Sequence, residues 1–60
     1  MANSKETEVY RDGKYIIKKE LNGYHYHHNL YTMTGEYIIS STYTKLPNVL
    51  STLTEMGYMS

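Results

Sequence analysis

The chain has 60 residues, six Lys and Arg against six Asp and Glu, eight Tyr, and no Cys, Trp or Phe. That length allows one small domain that buries only about 60% of its unfolded surface. The missing Cys excludes disulfides, thiolate metal sites and cysteine nucleophiles, and the zero net charge argues against a dedicated nucleic-acid binder.

Residues 1–6 are polar and read as a flexible N-terminal tail, with residues 7–60 as the single domain. The start lacks the apolar core of a signal peptide, and no apolar run approaches the ~20 residues of a membrane span. A cytoplasmic location without membrane contact is expected. Strands are predicted near Thr7–Arg11, Lys14–Leu21, Tyr24–Met33 and Glu36–Thr44, in runs rich in Tyr, Ile and Thr. The dipeptides Asp12-Gly13, Asn22-Gly23 and Thr34-Gly35 separate them, and the first two are strong hairpin signals.

The last quarter changes period. Leu46, Val49, Leu50, Leu53 and Met56 form one stripe of an amphipathic helix, with Pro47 in its first turn and Gly57 at its end. The predicted fold is therefore α+β: an antiparallel three- to four-stranded meander packed on one C-terminal helix.

Two-residue turns at Asn22-Gly23 and Thr34-Gly35 set the expected register. Leu21 then pairs with Tyr24, Ile17 with His28 and Tyr15 with Leu30; Leu30 pairs with Ile39 and Tyr26 with Tyr43. One face carries Tyr15, Ile17, Leu21, Tyr24, Tyr26, Leu30, Tyr37, Ile39 and Tyr43, and the helix docks there. His28 faces the same way. The other face is left open. Val9, Ile16, Tyr31, Met33 and Ile38 are expected on it as neighbours, an apolar patch suited to an interface. The plainer reading is scattered surface hydrophobes. Tyr58, just past the helix, is a second interface candidate or a staple for the helix end.

His25 and His27 share one strand face, with Glu20 expected opposite His25. Two imidazoles and a carboxylate can ligate zinc with one position open, although Lys18, expected opposite His27, would repel a cation. Two surface histidines are the plainer reading. Arg11, Lys14 and Lys18 beside Tyr31 could lie on nucleic acid, but Glu20 and the net charge oppose this. Neither a nucleophile elbow nor a phosphate loop occurs, and Ser40, Ser41 and Ser51 lack the context of a base. An enzyme is not expected, and no cofactor.

In size, lack of Cys and Tyr-rich texture, the chain resembles small bacteriophage-encoded accessory proteins, among them the anti-defence inhibitors of the Hachiman system. The resemblance implies a non-catalytic homodimer that inhibits a larger host protein by covering its surface, in the host cytoplasm. The alternative is a small nucleic-acid-binding or regulatory protein that uses the open sheet face.

Overall fold

The structure is a computed structural model, and it describes residues 6–59. Four strands, β1 (Glu6–Arg11), β2 (Tyr15–Asn22), β3 (His25–Thr32) and β4 (Tyr37–Ser41), are followed by helix α1 (Leu46–Glu55). The sheet order is β1-β2-β3-β4, an antiparallel meander with β1 and β4 at its edges. The expected α+β architecture is present. Glu6, expected in the tail, is the first residue of β1, and residues 1–5 lie outside the described residues.

Both early turns fall one residue later than expected. Asn22 pairs with His25, so the second hairpin loop is Gly23-Tyr24. Gly23 has φ +68° and Tyr24 a negative φ, which fits a type II′ turn with Gly at its first central position. The β2–β3 register therefore slips by two residues from the one expected. Ile17 faces Leu30, Lys19 faces His28 and Leu21 faces Tyr26. A slip of two keeps every side chain on its face, because strands repeat every two residues. It also brings Ile17 and Leu30, both fully buried, directly opposite each other. In the first hairpin Arg11 pairs with Ile16, and the Asp12 backbone N–H donates to the Tyr15 carbonyl at 3.0 Å. Asp12 Oδ1 accepts from the backbone N–H groups of Lys14 at 2.7 Å and Tyr15 at 2.8 Å, while Oδ2 accepts from the Tyr10 hydroxyl at 2.6 Å. These hydrogen bonds, the Tyr10 one foremost, hold the Asp12 carboxyl below its usual pKa.

Two irregularities move single residues across the sheet. The β1–β2 register shifts between Glu8 and Tyr10, leaving Val9 in a bulge. In the third hairpin the Thr32 N–H donates to the Glu36 carbonyl and the Gly35 N–H to the Thr32 carbonyl, with Gly35 at φ +95°. This three-residue loop offsets β4 by one, so Tyr37 pairs with Tyr31. A second shift, at Ile38, restores the expected pairing of Leu30 with Ile39. Tyr37, expected under the helix, thus stands on the opposite face. Val9 and Ile38, expected on the open face, instead pack against the core.

The core is Ile17, Leu30, Val49, Leu53 and Met59, with Tyr10, Tyr15, Ile39, Leu46 and Leu50 around it. Helix α1 starts after Lys45 with Pro in its first turn and no side-chain cap. It ends in a Schellman motif: the Tyr58 N–H donates to the Leu53 carbonyl at 2.9 Å and the Gly57 N–H to the Thr54 carbonyl at 3.1 Å. Gly57 takes φ +89°, which a side chain would resist. The reversal folds Met59 back into the core.

Candidate interaction surfaces

The face turned away from the helix is a polar clasp across all four strands. Glu6 on β1 and Glu20 on β2 are register partners. Between them reaches the amide of Asn29 on β3, which is nearly buried. Its Nδ2 donates to Glu6 Oε2 and Glu20 Oε1, each at 2.9 Å, and its Oδ1 accepts from the Ser40 hydroxyl of β4 at 2.7 Å. The hydroxyls of Ser40 and Tyr37 share a 2.8 Å hydrogen bond. The Tyr31 hydroxyl donates to Glu6 Oε2, and that bond is the main reason its pKa is pushed up to about 12. The Tyr31 and Tyr37 rings meet edge to face with centroids 5.9 Å apart, and Lys18 Nζ lies 5.0 Å from the Tyr31 centroid.

The five residues expected to form an apolar patch on this face are therefore dispersed. Val9 and Ile38 pack against the core from the helix side, because each sits at a register shift. Ile16 stays on the open face but is buried, flanked in register by Arg11 and Tyr31. Tyr31 is half-buried and tied to Glu6, and Met33 is exposed with its Sδ 3.8 Å from Arg11 Nη1. Arg11 itself pairs with Glu8 at 2.7 Å. Glu6, Glu8 and Glu20 occupy the surface on which a nucleic-acid backbone would have to lie.

The candidate metal ligands are also rearranged. The two-residue slip puts His27 opposite Glu20 and His25 opposite Asn22, at the hairpin end. Glu20 is engaged by Asn29. Among the described residues no group of three His, Asp or Glu side chains converges. His28 faces the helix side as expected. It is buried, and its Nδ1 is 2.9 Å from the Tyr43 carbonyl, so Nδ1 carries the proton in that contact. Burial, above all, and the nearby Lys19 charge lower its pKa, while the Tyr43 hydrogen bond opposes them.

Exposed apolar surface lies on the helix side instead. Ten helical residues span about 15 Å, whereas the eight residues of β2 or β3 span about 26 Å. The helix therefore leaves the far half of the β2–β3 hairpin uncovered. There Thr7, Val9, Lys19, Leu21 and Tyr26 line a shallow depression of about 440 Å³. Leu21 is 46% exposed, Tyr26 43%, and Tyr24 at the loop 98%. Lys19 Nζ lies 4.4 Å from the Tyr26 centroid. These three apolar side chains were expected beneath the helix. The mismatch between the stripe length and the strand lengths, both readable in the sequence, is the signal that finds this shelf.

A second groove, of about 180 Å³, runs between edge strand β4 and α1. Ile39, Ser41, Tyr43, Leu53 and Met56 are among its lining residues. No helix among the described residues is long and apolar enough to cross a membrane. Comparison with known proteins finds no matching family model, no similar characterised protein and no similar solved structure.

Proposed function

We propose that the chain is a non-catalytic binding protein that works as a homodimer and inhibits a larger protein by covering part of its surface. The supporting observation is the hairpin shelf. Leu21, Tyr24 and Tyr26 hold large apolar side chains in water beyond the reach of the helix, in a domain too small to leave such area exposed without cost. Tyr suits this use, since its ring supplies contact area and its hydroxyl stays solvated until a partner arrives. The depression beside it is open and shallow, the form of a protein contact more than of a small-molecule site. The polar clasp on the other face supports a division of labour in which one face holds the strands together and the other is free for contact. The target is a host protein, and the small bacteriophage anti-defence inhibitors are the type of protein whose work this design would serve.

The test is expression in bacterial strains that each carry one defence system, challenged with a phage that the system restricts. The proposal expects plating to be restored in at least one strain, and lost again with Leu21→Lys, a substitution at an exposed position that leaves the core intact. If the folded chain restores plating in none of the strains, the anti-defence reading is wrong. If light scattering shows a monomer throughout a concentration series, the homodimer is wrong.

A further inference from the structure

We infer that the homodimer is built by β4, which pairs antiparallel with β4 of a second copy about a two-fold axis and joins two four-stranded sheets into one. The inference rests on the preceding reading that the chain self-associates, and it names the seam.

The two sheet edges are built differently. Edge strand β1 carries Glu6, Glu8 and Arg11, has its Glu8–Arg11 ion pair at 2.7 Å, and is interrupted by the bulge at Val9. Charges and a bulge are the usual guards against strand addition. The β4 edge shares the register irregularity but carries no charge. β4 reads Tyr-Ile-Ile-Ser-Ser, with no charge, no Pro and no Gly, and the regular strand ends at Ser41. The one register shift, at Ile38, lies at its start and leaves Ile39, Ser40 and Ser41 regular. An uncharged edge offers a row of main-chain donors and acceptors, solvated in the monomer, with which another extended strand can pair.

The second copy is the occupant that this edge fits. Two copies of a neutral strand bring no like charges into opposition, whereas two β1 edges would place carboxylates and an arginine in the seam. A two-fold axis normal to the sheet, midway between the two copies of one β4 residue, matches positions of equal parity, so both helix-bearing faces stay on one side of the joined sheet. The groove beside β4 then becomes part of the seam. Tyr43 is 50% exposed and Met56 57%, and both line that groove. In the pair, the Tyr43 and Met56 side chains of each copy would cover the groove of the other, adding apolar burial to the ladder hydrogen bonds.

The chain has no Cys, so single cysteines report proximity without background. The full-length chain would be prepared as Ile39→Cys, Ser40→Cys, Ser41→Cys, Glu8→Cys and Leu21→Cys, and oxidised at a concentration where the wild type is dimeric. The inference expects a disulfide-linked dimer from the β4 cysteine that meets its own copy at the axis, and none from Glu8→Cys or Leu21→Cys. A companion variant, Thr42→Lys, places a charge on the exposed edge and should raise the dimer dissociation constant about tenfold with an unchanged circular dichroism spectrum. A wild-type dimer that ignores Thr42→Lys, or that cross-links through Glu8→Cys or Leu21→Cys alone, overturns the β4 seam while self-association stands. A wild-type monomer at every concentration overturns both.

Discussion

Replacing Asn29 by Leu tests whether the outward face holds the sheet together. Asn29 is 6% exposed and makes three side-chain hydrogen bonds, to Glu6, Glu20 and Ser40, so it ties β3 to every other strand. In two of the three the Asn29 amide donates to a carboxylate, and such bonds contribute about 1.5–3 kcal/mol each when well shielded. Glu6 is itself exposed, and solvent screening cuts its share to well under 1 kcal/mol. Leu also removes the donor set that stands between two carboxylates in direct register, where like charges oppose each other. The added apolar volume returns part of the loss. The net expectation is a destabilisation of about 2–3 kcal/mol, a large share of the roughly 3–9 kcal/mol available to a domain of this size. Urea unfolding followed by circular dichroism and by tyrosine fluorescence measures it directly. Asn29→Asp is the sharper companion, since it adds a third carboxylate to the cluster and should be worse than Leu. A loss below about 0.5 kcal/mol for Asn29→Leu would show that the clasp is ordinary solvated surface and would refute the structural role given to this face.

Leu30→Ala removes a fully buried side chain that faces Ile17 and should cost about 3–5 kcal/mol, enough to unfold much of the population at 37 °C, whereas Leu21→Ala on the exposed shelf should cost under about 1 kcal/mol; thermal melts of the two variants check the contrast. Gly57→Ala forces a side chain into φ +89° at the helix end and should cost about 1–2 kcal/mol, while Gly13→Ala, at a negative φ with open space around the added carbon, should be neutral or stabilising by up to about 1 kcal/mol. His28 is buried with a lowered pKa, so the unfolded chain binds its proton more readily. Its contribution is whole above about pH 6.5 and drains as pH falls through the lowered folded value. The urea midpoint should therefore drop between pH 7.5 and pH 5, and a pH-independent midpoint would contradict the buried neutral imidazole. Tyr31 should titrate late in an alkaline absorbance titration, near pH 12, and Tyr31→Phe should remove that last step.

Much of this molecule is written in local pattern. The order of strands, the placement of the turns near Gly13, Gly23 and Gly35, the stripe of α1, its stop at Gly57 and the inward face of Ile17, Leu30 and His28 all follow from residue chemistry and period alone. Three features needed the assembled sheet. The β2–β3 register differs by two from the one that Asn22-Gly23 suggests, and alternation cannot detect this, because a slip of two leaves each face unchanged. The shifts at Val9 and Ile38 each insert one residue, and a bulge is decided by which backbone groups meet across the strands, not by the strand's own sequence. Those two insertions removed Val9 and Ile38 from the surface where an interface was expected and left Asn29 to gather Glu6, Glu20 and Ser40 there instead. The extent of the helix's cover lay between the two levels. Its length was legible, but only its seating over Ile17 and Leu30 decided that Leu21, Tyr24 and Tyr26 would remain in water.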